Sequence, residues 1–129
     1  MRKVQPVYRI QITSGDIRTN AVFNESPTAR AIWKVLPLEA ETHTWGDEIY
    51  FPIPVQMEES DDSKEVVEMG NLGYWPQGHA FCIFFGPTPA SRGDEIRAAS
   101  AVNIVGNVEG NPLVFKNVSS GSPIRIERA

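Results

Sequence analysis

The chain has 129 residues, of which 41% are hydrophobic and 22% are charged, a composition that predicts one globular domain spanning residues 1–129. Its net charge of −4 and the lack of a basic stripe argue against a nucleic-acid-binding surface. No run reaches the roughly 20 apolar residues that a membrane-spanning helix needs, and no apolar stretch follows Arg2 and Lys3 to form a signal peptide, so we expect a cytoplasmic protein without a membrane segment.

The first predicted element is a β-hairpin. From Val4 to Ile12 apolar and polar residues alternate, which predicts a half-buried strand. Pro6 favours a strand start or an edge, because it has no amide hydrogen to donate. Ser14-Gly15-Asp16 then predicts a tight turn, and Ile17 to Phe23 predicts the returning strand.

One helix follows, over about residues 27–36. Ser26 is suited to cap it and Pro27 fits its first turn. The apolar residues at helical spacing are Ala29, Ile32, Trp33 and Leu36. Pro37 ends the helix because its ring removes an amide hydrogen and crowds the preceding turn. A single apolar stripe on so short a helix indicates that it packs on a sheet as a structural cap.

The middle of the chain predicts short strands joined by turns. Trp45-Gly46-Asp47 is interpreted as a tight turn rather than a ligand site, and it leads into a strand from Glu48 to Pro52. The segment from Glu58 to Glu68 holds six acids against one lysine; we interpret it as a solvated loop in preference to an interaction patch or a cation site, because the fixed ligand spacing of a calcium loop is missing. Val66 to Met69 resumes the strand pattern.

The most informative stretch runs from Gly73 to Pro89 and contains five of the twelve aromatic residues. Its apolar centre, Ala80 to Phe85, predicts a fully buried central strand. Thr88 to Ala99 is interpreted as a polar loop with a helical turn at Asp94-Glu95-Ile96-Arg97, and Val102 to Val108 predicts a further strand. Seven or eight short strands and one helix favour a β-barrel or a sandwich.

The residues usually needed for metal binding or nucleophilic catalysis are sparse. His43 and His79 are 36 positions apart and no cysteine pair accompanies them, so we expect no metal and no cofactor. Cys82 lies within the apolar strand, where burial would make a thiol unreactive, and we interpret it as a core residue. No serine lies in a nucleophile-elbow pattern.

The aromatic stretch is the best candidate for a binding site. Tyr74, Trp75 and His79 precede the buried strand in a loop bounded by glycine and proline. Large aromatic residues with polar tips at the mouth of a barrel are typical of sites for apolar or peptide groups. The alternative is that Tyr74 and Trp75 complete the core. Arg92 or Arg97 from the following loop could supply a cation.

At this point the chain resembles a known family. The blocks Thr44 to Phe51, Gly73 to Pro89 and Ala99 to Gly106 are similar, in this order, to a small prokaryotic family of cyclophilin-like proteins of unknown function. The resemblance covers roughly Ser26 to Val108. It implies a closed, eight-stranded cyclophilin-like β-barrel, mainly β, capped by the helix.

The resemblance to true cyclophilins is looser and lacks a catalytic feature. Phe81 to Gly86 is similar to their Phe-Met-Ile-Gln-Gly-Gly strand, but Pro76 stands where the catalytic arginine is implied and Phe84 replaces the glutamine. Prolyl isomerisation has a barrier of about 20 kcal/mol, and without that arginine the reaction loses its main electrostatic assistance.

We therefore expect a barrel that binds a small molecule or a peptide segment without catalysis. The ligand-binding candidates are Tyr74, Trp75, His79, Phe84 and Arg92. One alternative is a weak prolyl isomerase whose arginine comes from a loop. Another follows from the resemblance: a partner subunit related to the cyclophilin-like domains of amide-hydrolysing enzymes. The oligomeric state stays open.

Overall fold

The computed structural model describes residues 8–129, which form ten strands and one α-helix. The strands are β1 (Tyr8–Ser14), β2 (Ile17–Phe23), β3 (Leu38–Glu41), β4 (His43–Thr44), β5 (Glu48–Pro52), β6 (Lys64–Val67), β7 (Asn71–Trp75), β8 (Ala80–Phe84), β9 (Ile96–Val108) and β10 (Pro123–Arg128). The helix α1 is Pro27–Val35, and two short 3-10 helices cover Pro76–Gly78 and Pro112–Asn117. The predicted mainly β class is confirmed.

The predicted hairpin and helix are both present. β1 and β2 pair in antiparallel register up to Ser14 opposite Ile17, and Gly15 takes the positive φ of +58° that the turn requires. The predicted strand residues before Tyr8 lie outside the described residues. At the start of α1, the Ser26 hydroxyl accepts a hydrogen bond from the amide of Ala29 at 3.2 Å, as expected for a cap.

Hydrogen-bonded neighbours follow the order β3-β10-β1-β2-β9-β7-β8-β5-β4, and β6 pairs separately with β9. The predicted closed, eight-stranded barrel is therefore wrong for the described residues: there are ten strands, and the path ends at β3 on one side and at β4 on the other. The sheet is antiparallel throughout.

Thr42 gives the physical reason for the open ends. It is the single residue between β3 and β4. Its amide donates to the carbonyl of Ser122 at 2.9 Å, and its hydroxyl donates to the carbonyls of Ser119 and Ser122, both at 3.1 Å. Its polar groups thus bind the turn before β10. The end strands β3 and β4 are connected covalently through Thr42, and no ladder of backbone hydrogen bonds pairs them.

β9 is the longest strand, with 13 residues. Its last three residues pair with β2, its second half pairs with β7 over residues 103–107, and its first half pairs with β6. The loop predicted for residues 88–99 is consequently shorter than expected. The predicted helical turn is wrong, because Ile96 and Arg97 already belong to the β6–β9 ladder.

Alternate residues of the sheet build two hydrophobic clusters, which we call the inner and the outer side. The inner side is the larger core and includes Ile10, Ile32 of α1, Phe51, Phe81 and Ile126. The outer side is smaller and consists of Val67, Cys82, Phe84, Ile96, Ala98 and Val102. Because both faces of β8 are covered, all five of its residues are buried, as predicted for a central strand.

The acidic segment lies on the surface. All six of its acids are exposed, in agreement with a solvated segment, although its second half contains β6. The buried Asn103 anchors it to β9: the Asn103 amide donates to the carbonyl of Glu58 at 2.9 Å, and its oxygen accepts from the amide of Ser60 at 2.8 Å.

Candidate functional site

A small apolar cavity lies on the outer side of the sheet, between the first half of β9 and strands β5 and β7. Its volume is about 260 Å³, slightly below the range of about 300–1,000 Å³ that is usual for drug-sized ligands. Its lining residues are Trp45, Glu48, Tyr50, Trp75, Ala98, Ala99 and Val102. The cavity therefore has three aromatic walls and a single ionisable carboxyl group.

The turn between β4 and β5 places Trp45 and Glu48 at the cavity. The amide of Trp45 donates to the carbonyl of Glu48 at 2.9 Å, and the amide of Asp47 donates to the carbonyl of Pro87 at 2.9 Å. Gly46 adopts a positive φ of +61°, and a Cβ there would lie 2.9 Å from the Pro87 carbonyl oxygen. Only glycine fits both the backbone conformation and the space.

Glu48 is a buried acid at the wall of this cavity. Only 6% of the residue is exposed. Burial raises the pKa of its carboxyl group to about 7, since the charged form loses its hydration, while interaction with the Cys82 thiol acts in the opposite direction. At neutral pH the carboxyl group therefore exists in both protonation states.

Among residues 8–129, the only protein group that interacts with the Glu48 carboxyl is the thiol of Cys82 on β8. Cys82 Sγ donates to the carbonyl oxygen of Ala80 at 3.9 Å. Burial and the neighbouring carboxylate raise the pKa of this thiol well above its usual value. Cys82 is thus a neutral, buried core residue, as predicted, and the carboxyl group has no strong donor.

The aromatic walls are fixed by their neighbours. Trp75 donates from Nε1 to the hydroxyl of Ser100 on β9 at 2.6 Å. Its ring also packs closely on the 3-10 helix, because a Cβ at Gly78 would lie 2.5 Å from its Cε3 atom. The ring of Tyr50 stacks on His43, with centroids 5.3 Å apart. These contacts restrain the rings before any ligand arrives.

The five binding candidates from the sequence are dispersed in the structure. Trp75 lines the cavity. Tyr74 lies in the inner core without exposure, and its hydroxyl donates to the Val55 carbonyl at 2.6 Å. Phe84 is equally buried, in the outer cluster. Tyr74 therefore has the place that the alternative interpretation, completion of the core, gives it, and Phe84 is also a core residue.

His79 and Arg92 are exposed. His79 has a positive φ of 47°, and its carbonyl accepts from the amide of Ile53 at 2.9 Å. Arg97 is held by Glu95 at 2.8 Å and lies 3.5 Å from Glu65. Within residues 8–129, no arginine or lysine lines the cavity, so the guanidinium that a relocated isomerase site would need is not placed there.

Of the seven lining residues, sequence reasoning identified only Trp75 and missed Trp45, Glu48, Tyr50, Ala98, Ala99 and Val102. The turn at Trp45-Gly46-Asp47 is present, but Trp45 lines the cavity although that turn was not expected to be a ligand site. Glu48 alternates with the inward-facing Ile49 and reads as a solvated residue of a half-buried strand; its burial depends on β9, which was expected to begin later. The one available signal was the small, apolar Ala98-Ala99 pair, which continues the strand pattern of Val102 towards Ile96.

The described residues contain neither a cluster of metal-binding side chains nor a membrane-spanning helix. Among residues 8–129, no group of three or more His, Cys, Asp or Glu side chains is arranged to hold a metal ion. In the same range, no helix has the length and apolar character needed to cross a membrane.

Comparisons with known proteins relate the chain to proteins of similar fold. Residues 8–127 match the model of a family described as Cyclophilin-like. The solution structure of the hypothetical protein AF2241 from Archaeoglobus fulgidus is 39% identical, with 100% of each chain covered and a TM-score of 0.82. No curated protein matches the sequence. Neither description names a ligand or a reaction.

Proposed function

The chain belongs to the cyclophilin-like family, and we propose that it binds a small molecule, or one side chain of a peptide, in the apolar cavity without transforming it. Membership of a fold family does not assign an activity. The proposal therefore rests on the cavity itself. Of the five binding residues predicted from the sequence, Trp75 is the one that lines it.

One observation carries the proposal: the Glu48 carboxyl, in a residue that is 6% exposed, lies at the wall of an apolar cavity. No strong donor among the described residues pairs with it, and its oxygens reach the cavity, because no side-chain oxygen in that range is both fully buried and without a partner. Buried polar groups are normally paired, because leaving one unpaired costs stability. A sheet residue that only served packing would be apolar here. A ligand that fills the cavity and pairs with the carboxyl group would supply the missing partner.

The aromatic walls support the same function. Trp45, Tyr50 and Trp75 supply large, rigid surfaces, and the last two are held in place by His43 and Ser100. Binding in a preformed site loses little conformational entropy. The small volume favours a ligand below drug size, or the end of one side chain.

A fragment screen tests this proposal. Trp45 and Trp75 line the cavity, so a ligand should change the intrinsic fluorescence and raise the melting temperature. Trp33 lies on α1, where its ring packs against Tyr8, and the variant Trp33→Phe removes its background emission. If no fragment changes either signal, the proposal is wrong.

A variant that occludes the cavity gives the matched control. Ala99 is exposed on β9 yet lines the cavity, so Ala99→Leu should change the free energy of unfolding by less than about 0.5 kcal/mol. It should nevertheless weaken the binding of any fragment hit about tenfold or more, because leucine occupies part of the cavity. Ala129→Leu, at another exposed alanine, should leave binding unchanged. Equal affinities in all three proteins would place the ligand elsewhere.

A further inference from the structure

We propose that the ligand of this cavity is an organic cation, an ammonium group that is primary or methylated and carries a small apolar body, with Glu48 as its counter-ion. This inference deepens the proposed function and rests on it, because it names the ligand class for the same cavity. It is carried by the arrangement of charge and aromatic surface in the cavity wall.

The carboxyl group gives the first argument. Glu48 is the only ionisable acid at the wall, and within residues 8–129 no cation accompanies it. A buried carboxylate is stabilised chiefly by an opposite charge within a few ångströms. An ammonium group in the cavity would supply that charge. A primary ammonium would also donate hydrogen bonds to the carboxyl group, whereas a methylated one would contact it through its methyl groups.

The aromatic residues give the second argument. Trp45, Tyr50 and Trp75 line the same small cavity as the carboxyl group. The face of an aromatic ring attracts a cation within about 6 Å of its centroid, and tryptophan does so most strongly. Several aromatic rings around one acid form the type of site that binds alkylated ammonium groups in water.

Other ligand classes fit the wall less well. An anion would be repelled by Glu48 and would find no lysine or arginine among the described lining residues. A hard metal ion needs about six oxygen ligands, and the described wall offers one carboxyl group. A purely apolar molecule would fill the space but leave the carboxyl group unpaired.

Choline and its uncharged isostere 3,3-dimethylbutan-1-ol provide a direct test. They have nearly the same shape and differ in the charge of the central atom. At about pH 8, where the carboxyl group is ionised, choline should bind at least tenfold more tightly by calorimetric or fluorescence titration. Methylammonium, butylammonium and tetramethylammonium extend the test to other sizes of the cation.

The outcomes separate the two proposals. If the alcohol binds as tightly as choline, or more tightly, the cation proposal is wrong while binding at the cavity stands. If none of these ammonium ions binds but fragments from the screen do, the ligand class is wrong and the proposed function stands. If neither ammonium ions nor fragments bind, both proposals are wrong.

The pH dependence of binding gives a second, independent readout. The pKa of Glu48 is about 7, so an ammonium ion must displace a proton below that pH. The dissociation constant of choline should therefore rise about tenfold between about pH 8 and about pH 6, whereas that of the alcohol should not. A flat profile for choline would overturn the role of the carboxyl group.

The groups that face Glu48 are few. β8 contributes the Cys82 thiol, whose raised pKa keeps it neutral over this range, and its own strand β5 contributes Tyr50. β7 and β9 contribute Trp75, Ala98, Ala99 and Val102, none of which titrates. His43 stacks on Tyr50 from β4 but does not line the cavity. The variant His43→Gln should therefore keep the pH dependence of choline binding, even where the loss of the stack on Tyr50 changes the affinity.

A charge-removing variant completes the test. Glu48→Gln keeps the shape of the side chain but should weaken choline binding about tenfold or more at about pH 8 and remove its pH dependence. Glu41→Gln makes the same change at an exposed position on β3 and should have no effect. Glu48→Asp, which keeps the charge, should retain part of the affinity. If Glu48→Gln binds choline like the unmodified protein, the proposal is overturned.

Discussion

The two sides of the sheet show how one set of strands can complete its packing on one face and leave it incomplete on the other. On β5, Phe51 points to the inner side and is 1% exposed, with its ring stacked on Phe81 at 5.5 Å between centroids. Its neighbour Tyr50 points to the outer side, is partly exposed and lines a cavity. The difference arises from what covers each face.

The inner side is covered from several directions. α1 brings Ile32, the second 3-10 helix brings Phe115, and strands at both ends of the described chain contribute isoleucines. The outer side is covered by β6 and the first half of β9, which offer small or medium side chains such as Ala98 and Val102. A thin cover of small residues leaves space, and this space holds the buried acid. The comparison teaches that close packing is concentrated on one side, whereas the other side holds the cavity that we propose as a binding site.

Truncating one aromatic residue on each side would test this division most strongly. Phe51→Ala should lower the free energy of unfolding by about 3–5 kcal/mol, because it opens a void in a close-packed core. Tyr50→Ala should lower it by about 1 kcal/mol, because that side chain already borders a cavity. Urea denaturation measures both values, and equal losses would contradict the division.

Removing the buried acid should have the opposite sign. The pKa of Glu48 is raised from 4.5 to about 7 in the folded state, so its folding penalty is absent below about pH 4.5, grows as the pH rises and is complete above about pH 7. Glu48→Gln should therefore be more stable than the unmodified protein by about 3 kcal/mol at about pH 8, and the gain should vanish at about pH 4.5. Thermal or urea unfolding at both pH values measures this. A gain that is independent of pH would refute the assignment.

Replacing the glycine of the Trp45–Glu48 turn should have a smaller effect than Phe51→Ala or Glu48→Gln. Gly46→Ala should lower the free energy of unfolding by about 1–3 kcal/mol, from backbone strain and from the clash with the Pro87 segment. Gly15→Ala is the matched control, because Gly15 has a similar positive φ but no atom within 4 Å of its added Cβ. The excess loss in Gly46→Ala, measured by urea denaturation, isolates the clash. Identical losses would show that the turn is not pressed against its neighbour.

The parts of the fold that were predicted correctly have short-range causes. The Gly15 turn and the Ser26 cap are encoded by residues that are adjacent in the sequence and have strong local preferences. The central strand β8 was identified because an unbroken apolar run bounded by glycine and proline has few other interpretations. The closed barrel that the family resemblance predicted is wrong for the described residues. The open ends near Thr42 depend on hydrogen bonds from this residue to a turn about 80 residues away, which no local sequence pattern records.

The cavity could not be predicted because it is assembled from distant segments. Glu48, Trp75 and Ala98 come from three separate strands, and their meeting depends on how far β9 extends towards its start. Because residues 88–99 were expected to form a loop, the sequence did not predict that β9 begins at Ile96. Of the aromatic candidates, Trp75 lines the cavity. The side chain of Tyr74 points to the inner side, because consecutive strand residues face opposite sides of a sheet.

The buried Cys82 also allows the opening of the outer side to be measured as a rate. This single cysteine is 1% exposed and lies under the same cover as the cavity, so a thiol-specific reagent can reach it only during moments when that cover separates from the sheet. The labelling rate thus counts openings of one face, independently of global unfolding. A ligand bound in the cavity should make these openings rarer and therefore lower the labelling rate of Cys82.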